Sequence, residues 1–445
     1  MASAETLALR ARSVATNSGI NPGAVALALA VPFLFLHIKY QPGVRVPLGS
    51  THLGLELSDL AVVVVALVAL REGLKMGFAP LRPALALWIA SAALLLWIFI
   101  RSGSLDHFVT AMKFSEYALL ALSAPLILRR RSDWELVAAA AVAWSVVATC
   151  FGLLQFLGVD IAEAWAAGRR QPSFLGHSDF AALSALALGV GFAAVLLAGK
   201  RIGWTAIATG GIGLILSGAT AGLIGIAAGT AAFLYAVSRR RRLAVRDLAV
   251  SGVVVGVVAI GVLVLRAGDF ENFLRFVHLK GKEAQTADIQ TYSHHTLLAY
   301  VGYRIWHDHP IVGAGWQAST DPEVVDPELP AAHKRFPDVA PLAFPTREHE
   351  WGVQNAYIQA AADLGLIGLV LWLAPFALAL VLAFRANAQP GAAAAFAILS
   401  AMGIWGGQGL VAGIPLDAVT WLGFGLAATA AAQRSQAPPQ GKWQE

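Results

Sequence analysis

Apolar runs of membrane-crossing length recur along almost the whole chain, and few architectures can accommodate them. About 18 apolar residues in helical form cross a hydrocarbon layer roughly 30 Å thick. Inside such a layer the backbone has no water to bond, so each run must satisfy its own N–H and C=O groups as a helix. The expected spans are residues 20–36, 55–70, 84–100, 108–128, 136–157, 180–197, 202–216, 221–237, 248–265, 364–384, 392–410 and 418–431. The seventh and the last two are short or Gly-rich, which leaves the number at about ten to thirteen. Composition agrees: of 445 residues, 57% are hydrophobic and 13% charged, where soluble domains carry roughly 25% charged residues. The expected fold class is all-α: a polytopic membrane protein of about twelve transmembrane helices with one long, partly helical extracytoplasmic loop.

Lys and Arg in short loops set the orientation of such a chain. With the N-terminus inside, the inner loops hold 14 of them (Arg71, Lys75, Arg82, Arg129, Arg130, Arg131, Lys200, Arg201, Arg239, Arg240, Arg241, Arg242, Arg246 and Arg385). The outer loops hold 5: Lys39, Arg45, Arg101, Arg169 and Arg170. Both termini are then cytoplasmic. Residues 1–265 carry spans one to nine, 266–353 form the extracytoplasmic loop with the expected active site, 354–432 carry spans ten to twelve, and 433–445 read as a disordered cytoplasmic tail. The net charge of +5 is read as topology. A nucleic-acid partner would need a basic face with aromatics on a soluble domain, and none is visible. Arg10 and Arg12 precede the first span as in a signal peptide. His37-Ile38-Lys39-Tyr40 follows it without a small-residue cleavage site, so it is read as a retained helix. Cys150 is the single cysteine, which excludes an intrachain disulfide and a Cys-rich metal site. All 11 histidines fall at or beyond outer helix ends. Either the inner loops are simply short and filled with Arg, or the chemistry lies on the outer face.

A connection as long as 266–353 is usually functional. Three stretches carry candidate chemistry. The first is Gly168-Arg169-Arg170-Gln171-Pro172-Ser173-Phe174-Leu175-Gly176-His177, ahead of the sixth span. Its two arginines can clamp phosphate bidentately and always stay charged; the alternative is anchorage to lipid headgroups. His177 and Asp179 stand beside it. The second runs from Tyr303-Arg304 through Trp306-His307-Asp308-His309-Pro310 to Gly313-Ala314-Gly315. Two histidines two apart suggest a metal, but no carboxylate or cysteine set accompanies them. A helix end, stopped by Pro310 and turned by the glycines, is the preferred reading. No metal or cofactor is expected. The third is Arg347-Glu348-His349-Glu350-Trp351-Gly352-Val353-Gln354-Asn355-Ala356-Tyr357, at the approach to the tenth span. A histidine beside carboxylates is the ordinary make-up of a general base; the alternative is a wetted helix start capped by Asn355. Of the few ionisable residues inside the spans, Lys113 and Glu116 are three apart and expected to pair.

The order of these stretches resembles the O-antigen ligase and polymerase family of bacterial polytopic membrane glycosyltransferases, which is GT-C-like in architecture. Three places carry the resemblance: Arg169-Arg170 to Gly176, Trp306 to Gly315, and Gln354 to Gly368. There are departures. Gln354 stands where the family often has His, and Asp363 where it has Glu. The Ser217-Gly218-Ala219-Thr220-Ala221-Gly222 stretch lacks the family's arginine, and the position of another falls near His294, His295 and Thr296. The resemblance is therefore to a divergent member.

It implies an enzyme of the bacterial inner membrane that transfers or polymerises a polyprenyl-diphosphate-linked glycan, without a metal and with inversion. The acceptor is a sugar, lipid or protein, the last as in protein O-glycosylation ligases. On that reading Arg169 and Arg170, with Arg304 or Arg347, hold the diphosphate. His349 or Glu350 takes the acceptor proton. Gln354, Asn355, Tyr357 and His177 bind or orient sugars. The rival class is a lipid-linked glycan transporter or flippase, which predicts helices broken at the midplane and inverted repeats. The sequence shows neither.

Overall fold

The computed structural model describes residues 19–49, 51–239, 241–277, 279, 291–337, 339–346, 349, 351–386, 389–410 and 414–436, and is mostly helical. Helix α1 (Pro22–Leu34) begins where the Asn21 side chain accepts from the Gly23 amide, satisfying a group the helix cannot. An antiparallel hairpin follows, β1 (Gly43–Leu48) and β2 (Thr51–Glu56), with Val44 opposite Leu55. Then come α2 (Leu57–Met76), α3 (Leu85–Ile100), α4 (Leu105–Glu116), α5 (Ala118–Ile127) and α6 (Arg131–Phe156). Helix α7 (His177–Phe192) runs into a π-helical turn (Ala193–Leu197), followed by α8 (Gly203–Ser217), α9 (Thr220–Ser238), α10 (Val245–Leu265) and α11 (Ala267–Phe276). The last elements are α12 (Thr291–Asp308), α13 (Leu329–Arg335), α14 (Ala356–Arg385), α15 (Gln389–Trp405) and α16 (Ile414–Gln436).

By length and composition, six of the described helices can cross a membrane: Ala79–Ile100, Arg131–Phe156, His177–Leu197, Thr220–Ser238, Val245–Leu265 and Ala356–Arg385. Pro22–Leu34, Gly203–Ser217 and Pro390–Trp405 are shorter apolar helices. Helix α7 is the most enclosed of the six and α10 the least. The span expected at 108–128 is divided between α4 and α5. The tail expected from residue 433 is helical as far as Gln436, where Gln433 Nε2 reaches the carbonyl of Leu128 at 3.4 Å; residues 437–445 lie outside the described residues.

Lys113 does not pair with Glu116. Its ammonium binds Glu56 at 2.8 Å and Asp59, at the junction of β2 and α2. A tertiary pair of carboxylates outcompetes the local neighbour because the ammonium meets two charges there.

Residues 291–346 build a small apolar core of their own. Leu297, Leu298, Val301 and Ile305 form one stripe of α12 and pack on Val325, Ala332, Phe344 and Ala362. Their spacing is the helical one, one face of 3.6-residue periodicity. Helix α12 ends at Asp308 ahead of Pro310, and Gly313 and Gly315 follow at φ 73° and 141°.

Helix α14 is broken at Gly365 (φ 69°, ψ −170°). Segment 310–316 fills the break. The Leu366 amide donates to Pro310 O at 2.9 Å and the Ile367 amide to Ile311 O at 3.2 Å. In return the amides of Ala314 and Gly315 donate to the carbonyls of Ala362 and Asp363, both at 2.8 Å. A Cβ at Gly313 would overlap the Asp363–Leu364 peptide, and one at Gly365 the Ile311 carbonyl. Both glycines are thus required by close approach and by positive φ. The Asp363 carboxylate accepts from the Gln317 amide (3.2 Å), the Ser319 amide (2.9 Å) and Gln359 Nε2 (3.1 Å), fixing the next turn. Two of the stretches that carry the family resemblance are therefore halves of one joint.

Candidate functional site

The joint holds the 291–346 unit over a gathering of helix ends. The start of α7, the α8–α9 turn, the end of α10, the first turns of α12, the approach to α14 and the end of α15 surround a cavity of ≈ 420 Å³. Arg170, His177, Thr220, Arg266, Tyr292, His295, Gln317, Gln354 and Gln408 are among its lining residues. Among the described residues no carboxylate lines it.

Its electrostatics are set by two guanidinium groups. Arg170 lies over the Trp165 ring, 4.4 Å from its centroid, and that ring meets His177 edge-on at 4.4 Å. Burial and then the like charge of Arg266 bring the Arg170 guanidinium down to about 10, so it stays cationic at neutral pH. Arg266 is only 3% exposed. Its Nη1 donates to Gly218 O at 2.9 Å, it forms an ion pair with Asp269, and its guanidinium lies 5.0 Å from the Tyr292 ring centroid. Arg266 Nη2 is buried with no hydrogen-bond partner. A buried charged donor left unpaired is costly and marks a place for an acceptor. The turn that receives Arg266 needs glycine: Gly218 has φ 61°, and a Cβ there would meet Arg170 Cβ at 2.8 Å.

Helix α9 starts directly at the cavity wall, and no side chain caps it. Its free amides and its dipole favour negative charge there. Among the described residues, two fixed cations, one paired carboxylate, an unpartnered guanidinium nitrogen and a helix N-terminus give this wall a positive potential.

His177 Nδ1 lies 3.3 Å from Ser217 O, and its Nε2 is buried without a partner. Burial first, then His294, Arg170 and Arg266, lower His295 to about 4, while the Gln354 side chain beside it acts in the opposite direction. Ser178 Oγ donates to Gln408 Oε1 at 3.2 Å, and Tyr292 Oη to Thr220 Oγ1 at 3.2 Å. Gln317 Nε2 is buried without a partner. Among the described residues, no group of three His, Cys, Asp or Glu is placed to hold a metal ion.

Of the residues expected from sequence, the cavity brings together Arg170, His177 and Gln354. Arg169 is exposed and does not line it. Arg304 is ion-paired with Glu328 at 2.8 Å, on the far side of α12 from His295. His349 is exposed and stacks on Trp351 at 5.8 Å between centroids. Asn355 caps α14, accepting from the amides of Tyr357 and Ile358 at 3.1 Å each, while its Nδ2 donates to Gly406 O at 2.8 Å. Tyr357 Oη donates to Met402 O at 2.7 Å. Arg347 and Glu350 lie outside the described residues. Sequence reasoning passed over Arg266, Tyr292, His295 and Gln317. The available signal for Arg266 was an arginine directly after an apolar run.

Residues 205–373 match the family model described as O-antigen ligase. The match covers α8 to the middle of α14 and so includes Arg266, His295 and Gln354, while Arg170 and His177 precede it. A search of curated proteins gives no match to the chain.

Proposed function

We propose, from a chain whose residues 205–373 are those of an O-antigen ligase family member, that this protein is a membrane glycosyltransferase acting on a polyprenyl-diphosphate-linked glycan at the extracytoplasmic face of the bacterial inner membrane. The observation that carries the reading is the pair Arg170 and Arg266 facing one cavity that no described carboxylate lines. A lipid diphosphate is the leaving group such a site suits. Charge grows on the diphosphate as the glycosidic bond breaks. Guanidinium groups already fixed in place stabilise it there without having to reorganise. The acceptor oxygen attacks the anomeric carbon, the bond from that carbon to the diphosphate oxygen breaks, and its electron pair leaves with the lipid diphosphate. In-line displacement inverts the carbon, and the fixed cations do the work that a metal would do elsewhere.

The break in α14 is the feature that would favour a transporter. Its amides and carbonyls are used to seat segment 310–316, so they line no pathway, and the transferase reading is preferred.

The test is transfer by the purified protein in detergent, from a polyprenyl-diphosphate oligosaccharide, with EDTA present. Three acceptors are offered: a glycolipid core, a second donor molecule and a Ser/Thr peptide. Product with any one is expected and identifies the acceptor class. Arg170→Ala, inserted and folded, should give none. Tight donor binding without product from any acceptor would refute the transferase reading in favour of carriage.

A further inference from the structure

A transfer of this kind needs a group to take the proton of the attacking hydroxyl, and the cavity offers few. The guanidinium groups of Arg170 and Arg266 cannot accept one. The Tyr292 hydroxyl is engaged with Thr220, and its ring lies under Arg266. Among the described lining residues two imidazoles remain, His177 and His295. His177 is wedged between the Ser217 carbonyl and the Trp165 ring, with its other nitrogen sealed from solvent. His295 lines the cavity beside Gln354.

The setting of His295 is rigid on both sides. It stands on the first turns of α12, whose apolar stripe is locked into the small core at Leu297 and Leu298. Its neighbour His294 turns the other way and meets the Trp351 ring edge-on at 5.0 Å. Gln354 directly precedes the cap Asn355, which is held by three hydrogen bonds to the backbones of α14 and of Gly406. The backbone at Gln354 is therefore held in place. Where the Gln354 side-chain carbonyl oxygen accepts from one ring nitrogen, the other nitrogen is left as the acceptor.

We propose, resting on the transferase reading above, that His295 is the catalytic base and Gln354 its positioning residue. The acceptor O–H proton passes to the free imidazole nitrogen as the acceptor oxygen bonds to the anomeric carbon. The imidazolium then returns the proton to solvent after the lipid diphosphate leaves. The resting site keeps His295 neutral, as a base must be, because it is buried beside two cations. A bound diphosphate cancels those cations. The ring then gains basicity only when donor is present, which couples proton abstraction to donor binding.

The experiment compares wild type with His295→Gln, Gln354→His, the exchange His295→Gln/Gln354→His, and His349→Ala. Each is purified with its melting temperature checked, and each is assayed for transfer and for binding of polyprenyl diphosphate alone. His295→Gln should lose roughly 10²–10⁴-fold in transfer while binding polyprenyl diphosphate within a few-fold of wild type. The exchange variant should recover at least tenfold over His295→Gln, because it returns an imidazole and an amide to the same hydrogen-bonded pair. Transfer by His295→Gln at the wild-type rate overturns the assignment and leaves the transferase reading intact. Loss in His349→Ala without loss in His295→Gln moves the base to His349 and overturns it too. A folded exchange variant no better than His295→Gln refutes the role of Gln354. A wild type that binds donor and never transfers overturns the transferase reading and this assignment together.

Discussion

Replacing Arg266 by lysine tests the anion site where its geometry is most demanding. The guanidinium makes three separate commitments: Nη1 to the Gly218 carbonyl at 2.9 Å, an ion pair with Asp269, and a buried Nη2 with no partner. Lysine keeps the charge, and one ammonium can hold Gly218 or Asp269. It cannot also supply a donor where the buried Nη2 lies, because it lacks the planar fork. The loss is one charge-assisted hydrogen bond to the ligand, about 1.5–3 kcal/mol, which is roughly 10- to 150-fold in Kd. Alanine is a poorer choice, since it strands the Gly218 carbonyl and confuses binding with stability. The assay is quenching of tryptophan fluorescence by a long-chain polyprenyl diphosphate, which Trp165 beneath Arg170 should report, with transfer measured in parallel. Arg266→Lys binding within threefold of wild type, at an unchanged melting temperature, would refute the claim that the orphan nitrogen is kept for the donor.

Gly313→Ala should lower the melting temperature and the yield of folded protein more than any surface substitution, since its Cβ would overlap the Asp363–Leu364 peptide at a φ of 73°; wild-type stability would disprove the interlocked joint. Arg304→Gln should leave donor binding within twofold of wild type because Arg304 is committed to Glu328, and a tenfold loss by the same fluorescence assay would return it to the site. Thermal stability should fall as the pH drops from about 6.5 toward 4: burial holds both His294 and His295 at about 4 in the fold, so in that window the unfolded chain binds the extra protons. Melting curves at pH 7.5 and 5 check this, with a smaller loss expected in His295→Gln, and equal melting temperatures at the two pH values would contradict the burial argument.

What the sequence could show and what it could not divide along one physical line. Helix location is written locally, in the length and period of apolar runs, and helices lie over the expected positions from α1 to α16. The end of α12 was equally legible, because Pro310 and two glycines act within a few residues of themselves. The break in α14 was not, since residues 356–385 are apolar on both sides of Gly365, and only the partner segment 310–316 distinguishes that glycine from one that packs. The same limit governed the charges. Arg304 looks available in one dimension and is neutralised by Glu328 in three, and Lys113, expected to pair with Glu116, meets Glu56 and Asp59 instead. Arg266, read as the first residue of a loop, is brought across to the Ser217–Thr220 turn, the stretch that lacks its own arginine, and its guanidinium meets Gly218 there. A side chain can therefore be missing from a motif while its charge is supplied by another helix end. Likewise an imidazole lines the cavity at position 295, beside the glutamine at 354. On the proposed reading, divergence of this kind redistributes the groups of a cavity while erasing the linear pattern, and transfer by the wild type against His295→Gln is the measurement that separates a redistributed site from a lost one.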